Sequence, residues 1–227
     1  MYDSLLRWFG FGLCHQLPER SLFGGGVQVP VCARDTGIYV GVIVSLLIIA
    51  FVQPRRPAGF PSRVVAALLG GFVLTMALDG ATSYAGLRET TNAIRLATGL
   101  LAGYAIGAVA VPLLNEQLWR VSSGERVLGE RRALLLWLAS IPLAFALSWW
   151  GGDVLGPVYP LAVAAAILAS LAAVNLIIVT LIPAFERRAD RLAQAWLPLL
   201  LAFGLAWVEI AASAAIKLWL VSAFPGV

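Results

Sequence analysis

Charge is scarce in this chain. Only 12% of its 227 residues are Asp, Glu, Lys or Arg, about half the roughly 25% carried by soluble domains. Among 16 basic residues there is a single lysine, Lys217; His15 is the only histidine, and Cys14 and Cys32 are the only cysteines. So few charges cannot furnish polar outer faces for a set of soluble helices. No basic run is dense enough to bind nucleic acid. No P-loop, dinucleotide fingerprint, HExxH pair or serine nucleophile elbow is present. The triple glycine Gly24–Gly26 has no Lys-Ser/Thr after it, so it reads as a flexible loop. No cleavable signal peptide is evident: the apolar run 5–13 is short and is interrupted by Arg7 and two glycines. Its Trp and Phe suit an interfacial helix.

What the chain has in abundance is apolar length. Hydrophobic residues make up 60% of it, and the mean hydropathy is +0.88. Several stretches are about 20 residues long, enough to cross a hydrocarbon core about 30 Å thick. The fold class expected is all-α: a polytopic integral membrane protein with six transmembrane helices in one bundle. The spans read as Thr36–Val52, Arg63–Tyr84, Asn92–Leu114, Ala133–Trp150, Val158–Pro183 and Trp196–Ala223. Residues 1–35 form an N-terminal interfacial segment, and 36–227 the bundle. Arginines crowd the first loop (Arg55, Arg56, Arg63), the third (Arg120, Arg126, Arg131, Arg132) and the fifth (Arg187, Arg188, Arg191). The positive-inside rule puts these loops in the cytoplasm. The N-terminal segment, loops two and four and the end of helix six then lie outside. Gly99, Gly103 and Gly107 form a small-residue stripe that lets a backbone approach closely. The stripe serves packing, or a contact between copies in a homo-oligomer.

This topology brings two polar stretches to the same outer end. One is 14–37, CHQLPERSLFGGGVQVPVCARDTG. The other runs from Asp79 to Arg95. Their order and spacing, Cys14-His15, Pro18-Glu19-Arg20-Ser21, Pro30-Val31-Cys32-Ala33-Arg34, Thr36-Gly37-Ile38-Tyr39, Leu78-Asp79-Gly80-Ala81-Thr82 and Arg88-Glu89-Thr90-Thr91-Asn92, resemble a family of small prokaryotic membrane proteins, domain of unknown function 2085. The likeness covers about the first 110 residues. It implies a location in the prokaryotic cytoplasmic membrane and a set of candidate positions, but no reaction. The family motif carries a second cysteine where this chain has Asp35. A carboxylate can replace a thiolate as a metal ligand but cannot form a disulfide.

Cys14, His15, Cys32 and Asp35 are the candidate ligands for zinc or another divalent metal, since thiolate, imidazole and carboxylate are its usual donors. A Cys14–Cys32 disulfide and two unpaired thiols are the alternatives. Arg20, Arg34, Arg88 and Arg95 present planar forks suited to phosphate. Arg88, Asn92 and Arg95 share one face at the start of helix three, where the helix dipole favours an anion. The bland alternative pairs these arginines with Glu19, Asp35, Asp79 and Glu89. Asp79 and Glu209 lie within spans, where an acid costs about 2.5–3.5 kcal/mol and usually has a partner or a pathway; Asn175 is the partner expected for Glu209. The reading that follows is a metal-assisted enzyme acting on a lipid or isoprenoid phosphate. Asp79, Glu89, Arg34 and Arg88 would be catalytic, and Arg20, Asn92, Arg95 and Glu209 would bind substrate. A transporter or flippase using Asp79 and Glu209, or an assembly protein without activity, are the other classes. Membrane lipids are the expected partners.

Overall fold

The computed structural model describes residues 2–224. In chain order the elements are α1 (Tyr2–Phe11), β1 (Ser21–Gly24), β2 (Val27–Cys32), α2 (Ala33–Val52), β3 (Pro57–Gly59), α3 (Arg63–Tyr84), α4 (Asn92–Leu118), β4 (Ser123–Arg126), α5 (Arg131–Trp149), the short α6 (Gly151–Leu155), α7 (Tyr159–Thr180) and α8 (Trp196–Ala223). Among the described residues, six helices are long and apolar enough to cross a membrane. The chain is an all-helical membrane bundle with two minimal sheets at its ends.

α4 is the central helix; 72% of its most apolar window is buried, against 17% for α3. The glycine stripe explains this. A Cβ on Gly99 or Gly103 would collide with the backbone carbonyls of Arg34 and Ile38, and one on Gly107 would come within 2.7 Å of Ser45 Cβ. From α2, a Cβ on Gly37 or Gly41 would lie 2.7 Å from the backbone of Leu100. The two helices therefore run parallel, backbone against backbone, with 37 facing 99, 41 facing 103 and 45 facing 107. This corrects one expectation: the stripe faces α2 of its own chain and is not free to meet a second copy. Gly103→Val should destabilise the fold by about 3 kcal/mol or more, since overpacking against backbone has little room to relax. A fall in the thermal unfolding midpoint in detergent would measure it; an unchanged midpoint would mean that the two backbones are not in contact.

Several polar side chains tie the spans together, although the buried Thr36 hydroxyl has no partner among the described residues. Ser45 Oγ donates to the Tyr104 carbonyl at 2.9 Å and accepts from Trp137 Nε1 at 2.9 Å, which ties α5 to the α2–α4 pair. Ser170 Oγ donates to the Tyr39 carbonyl at 3.0 Å and ties α7 to α2. Asn175 Nδ2 donates to Glu209 Oε2 at 3.0 Å between α7 and α8. Buried polar groups are costly unless so paired.

At one end, β1 and β2 form an antiparallel hairpin with Ser21 opposite Cys32. Its two-residue turn is Gly25–Gly26, with φ of 57° and 79°, the left-handed pair that a type I′ turn requires. The triple glycine is thus a hairpin turn rather than a flexible loop. Val29, Pro30 and Val31 of β2 are buried against the bundle, while Phe23 of β1 stays exposed. α2 begins at Ala33, three residues before the expected start, so the hairpin runs straight into the helix. At the other end, β3 pairs in parallel with β4 and joins the two arginine-rich loops.

Candidate functional site

The hairpin and the first turn of α2 set the site. Cys32 is the N-cap of α2, with no side-chain capping bond, and Asp35 lies in the helix's first turn. The pairing of Ser21 with Cys32 places Arg20 beside the same turn. Cys14 follows α1, its N–H bonded to the Gly10 carbonyl at 3.0 Å, and its sulfur accepts the Cys32 N–H at 3.3 Å. Cys32 Sγ lies 3.3 Å from Asp35 Oδ2. One donor atom from each of Cys14, Cys32 and Asp35 lies within 4.8 Å of the other two. A zinc tetrahedron built from bonds near 2.3 Å separates its donors by roughly 3.7 Å, so the three need to close only slightly on an ion. Both cysteines are free thiols. His15 lies outside this triad.

The two thiols share protons unequally. Hydrogen bonding from the Cys32 thiol holds the Cys14 thiol down to about 7, against the opposing effect of burial. The Cys32 thiol is pushed up by its bond to Cys14, by burial and by the Asp35 carboxylate. Cys14 is the more acidic thiol of the pair, and Cys32 the one that holds its proton more tightly. Because the folded state lowers the Cys14 pKa, the stabilisation is present above the ordinary thiol value and lost as pH falls through about 7. In metal-free protein, iodoacetamide should alkylate Cys14 with a midpoint near pH 7, and Cys32→Ala should move it toward the ordinary thiol value of about 8.5. A wild-type midpoint already at the ordinary value would refute the shared proton.

Asp79 organises the arginines. Its side chain is 1% exposed. Oδ2 accepts from Arg34 Nε at 3.2 Å and Nη2 at 2.5 Å, and from Thr98 Oγ1 at 3.2 Å. Oδ1 accepts from Arg88 Nη2 and from Thr90 Oγ1 at 3.2 Å. Arg20 and Arg95 have no carboxylate within ion-pair distance among the described residues. Arg95 is only 8% exposed and donates to Asn92 Oδ1 at 3.2 Å. Asn92 in turn donates to the carbonyls of Glu19 and Ser21, which fastens α4 to the hairpin.

These groups surround a cavity of about 240 Å³, lined by Cys14, His15, Arg20, Cys32, Arg34, Asp35 and Arg95, and by Leu13, Leu17, Ser83 and Tyr84. The two polar stretches of the sequence therefore meet at one end of the bundle. Not every candidate reaches the cavity. Asp79, Arg88 and Asn92 stand behind its wall. Glu89 is exposed and lines nothing. Glu209 sits on the exposed side of α8, away from the cavity, with Asn175 as its partner. In the sequence Lys217 has no evident role at this end and lies too far from Glu209 to pair with it. Its Nζ donates to the carbonyls of Phe11 at 2.7 Å and Cys14 at 2.8 Å, and packs 4.6 Å over the Phe11 ring. Its being the only lysine was the available signal.

The profile of domain of unknown function 2085, described as a predicted membrane protein, matches residues 14–109. A protein of Methanocaldococcus jannaschii, titled as uncharacterized, is 36% identical over 110 residues, 48% of this chain and 67% of that protein. The chain belongs to this family. A second uncharacterized protein, from Methanothermobacter thermautotrophicus, is 38% identical over 97 residues, 43% of this chain and 83% of its own. No solved structure matches the chain. The segment matched by the family profile contains the triad, His15, Asp79, Arg20, Arg34, Arg88 and Arg95, whereas Lys217 and Glu209 lie beyond it.

Proposed function

We propose that the cavity binds a divalent metal and the phosphate of a membrane lipid, and that the protein is a metal-assisted enzyme acting on a lipid or isoprenoid phosphate. One observation carries this reading: among the described residues Arg95 is buried without a counter-ion, in the same cavity as the thiol–carboxylate triad. A buried charge without a partner is costly, and a phosphate would supply the missing anion. Two thiolates and one carboxylate leave a fourth tetrahedral position open, the arrangement of a catalytic rather than a structural zinc. In that position a metal would polarise a phosphoryl oxygen or a water. Arg20 and Arg95 would hold the remaining oxygens, and His15, on the cavity wall but outside the triad, would carry a proton to or from the leaving oxygen.

The other residues take supporting roles in this reading. Asp79, with both oxygens occupied, positions Arg34 and Arg88 rather than transferring protons. Asn92 holds Arg95, and Lys217 holds the Cys14 backbone. The cavity is too small for a whole lipid, so the apolar tail would remain in the membrane beside Leu17 and Tyr84. By the arginine balance of the loops, this end faces away from the cytoplasm.

Equilibrium dialysis of purified protein against zinc tests the reading, with thiol counting and release of inorganic phosphate from a polyprenyl phosphate in micelles. One zinc per chain and phosphate release that stops on chelation are expected. Absence of stoichiometric zinc together with a Cys14–Cys32 bridge would overturn it.

A further inference from the structure

The opposite end of the bundle carries a second cleft. It measures about 390 Å³ and lies between the ends of α2, α4 and α7, with Leu46, Ile49, Ala50, Val111, Leu114 and Leu176 as its apolar walls. Its rim is polar, formed by Gln53, Asn115, Arg56 and Trp119. The amides are already engaged. Gln53 bonds the Arg126 carbonyl and the Leu128 N–H at 3.2 and 2.8 Å. Asn115 bonds the Pro57 carbonyl and Trp119 Nε1 at 2.9 and 3.1 Å. Neither can offer a ligand much.

Arg56 differs. Its guanidinium stacks 3.8 Å from the Trp119 ring centre, and one nitrogen, Nη2, donates to the Asp190 carbonyl at 2.9 Å. It makes no ion pair among the described residues. The carboxylates of Glu116, Glu125 and Asp190 are each taken by another arginine, Arg187, Arg55 and Arg120. Arg56 also adopts a φ of 57°, a left-handed conformation that a non-glycine residue holds only when its surroundings enforce it. A fixed, stacked guanidinium with unused N–H groups therefore stands at the mouth of an apolar cleft. The chain segments at this end hold ten arginines (55, 56, 63, 120, 126, 131, 132, 187, 188, 191) against five acids (116, 125, 130, 186, 190), a balance of ten minus five, or +5.

We propose that this cleft is a binding site for one anionic phospholipid of the adjoining leaflet, with its phosphate on Arg56 and an acyl chain along α2, α4 and α7. The occupant follows from the two chemistries present together. The walls are as apolar as the spans themselves, so they take a hydrocarbon chain. The rim is positive and pre-aligned, so it takes a phosphate. A soluble anion would use only the rim, and a neutral lipid only the walls. Basic pockets between helices are a known way to hold anionic headgroups. This site is independent of the metal reading at the other end.

Native mass spectrometry of the full chain, released from nanodiscs of phosphatidylglycerol or phosphatidylcholine, tests it. The wild type should retain one phosphatidylglycerol and no phosphatidylcholine. Arg56→Ala should weaken retention about fivefold, the effect of one arginine beside an anionic membrane surface, and Arg56→Lys should restore part of it. Ala50→Trp, which fills the cleft and leaves the rim charge alone, should abolish retention; it keeps the test decisive if Arg56→Ala does not fold. Equal retention of both lipids, or retention unchanged by Ala50→Trp, would overturn the proposal. So would displacement of the lipid by millimolar inorganic phosphate, since the rim would then act alone.

Discussion

Asp79→Ala should cost about 3–5 kcal/mol, the loss usual when one partner of a buried ion pair is removed and the other is left uncompensated. At roughly 2–4 °C per kcal/mol for a chain of this size, the unfolding midpoint in detergent should fall by about 6–20 °C. The reason lies in what one carboxylate does. Asp79 receives two arginines and two threonines from α2, the α3–α4 connection and α4. Without it, the 11%-exposed Arg34 side chain keeps its charge in a low-dielectric setting with no anion. Arg88, 43% exposed, can turn toward water, so its share of the loss is small. Asp79→Asn should fall between wild type and Asp79→Ala, because an amide still accepts through one oxygen. A midpoint within about 2 °C of wild type for Asp79→Ala would mean that the pair is water-filled and worth little.

Cys32→Ser should lower zinc affinity by at least about a hundredfold, more than the 10–100-fold typical of losing a second-shell contact. A serine hydroxyl does not ionise as a thiol does, and two donors remain where three stood. The same substitution should not weaken the fold. Cys32 caps α2 without a side-chain bond, and serine is among the best N-cap residues, so the helix start is kept or improved. This separates a ligand from a structural residue: zinc is lost while the unfolding midpoint of the metal-free protein holds. His15→Ala should leave zinc binding intact, since His15 lies outside the triad. Wild-type zinc affinity in Cys32→Ser would remove the triad from consideration.

Much of the architecture was legible because membrane insertion is read locally. The bounds Arg63–Tyr84 and Trp196–Ala223 coincide with α3 and α8. α4 continues past the expected end at Leu114 to Leu118, because its polar last turn is bonded to the loops. The hairpin was missed for a different reason. Three glycines in a row look like slack, and only pairing between Ser21 and Cys32 turns two of them into a tight turn.

The candidate site was half legible. That Cys14, Cys32 and Asp35 would approach the arginines followed from counting spans. Which arginine would take Asp79, and which would be left without a carboxylate, did not. Arg88 and Arg95 have the same chemistry and the same spacing signal, yet one is paired with Asp79 and the other faces the cavity. Lys217 lies 203 residues from Cys14, and nothing in a linear pattern joins them.

The sequence by itself determined that this is a six-span membrane bundle with its distinctive polar groups at one end. Hydrocarbon length and loop charge are sums over neighbouring residues, so they need no fold to be evaluated. Only the tertiary structure decided which of those groups neutralise each other and which line a cavity. Ion pairing depends on distances of a few ångströms between residues far apart in the chain, and those distances exist only once α2 and α4 have packed backbone to backbone.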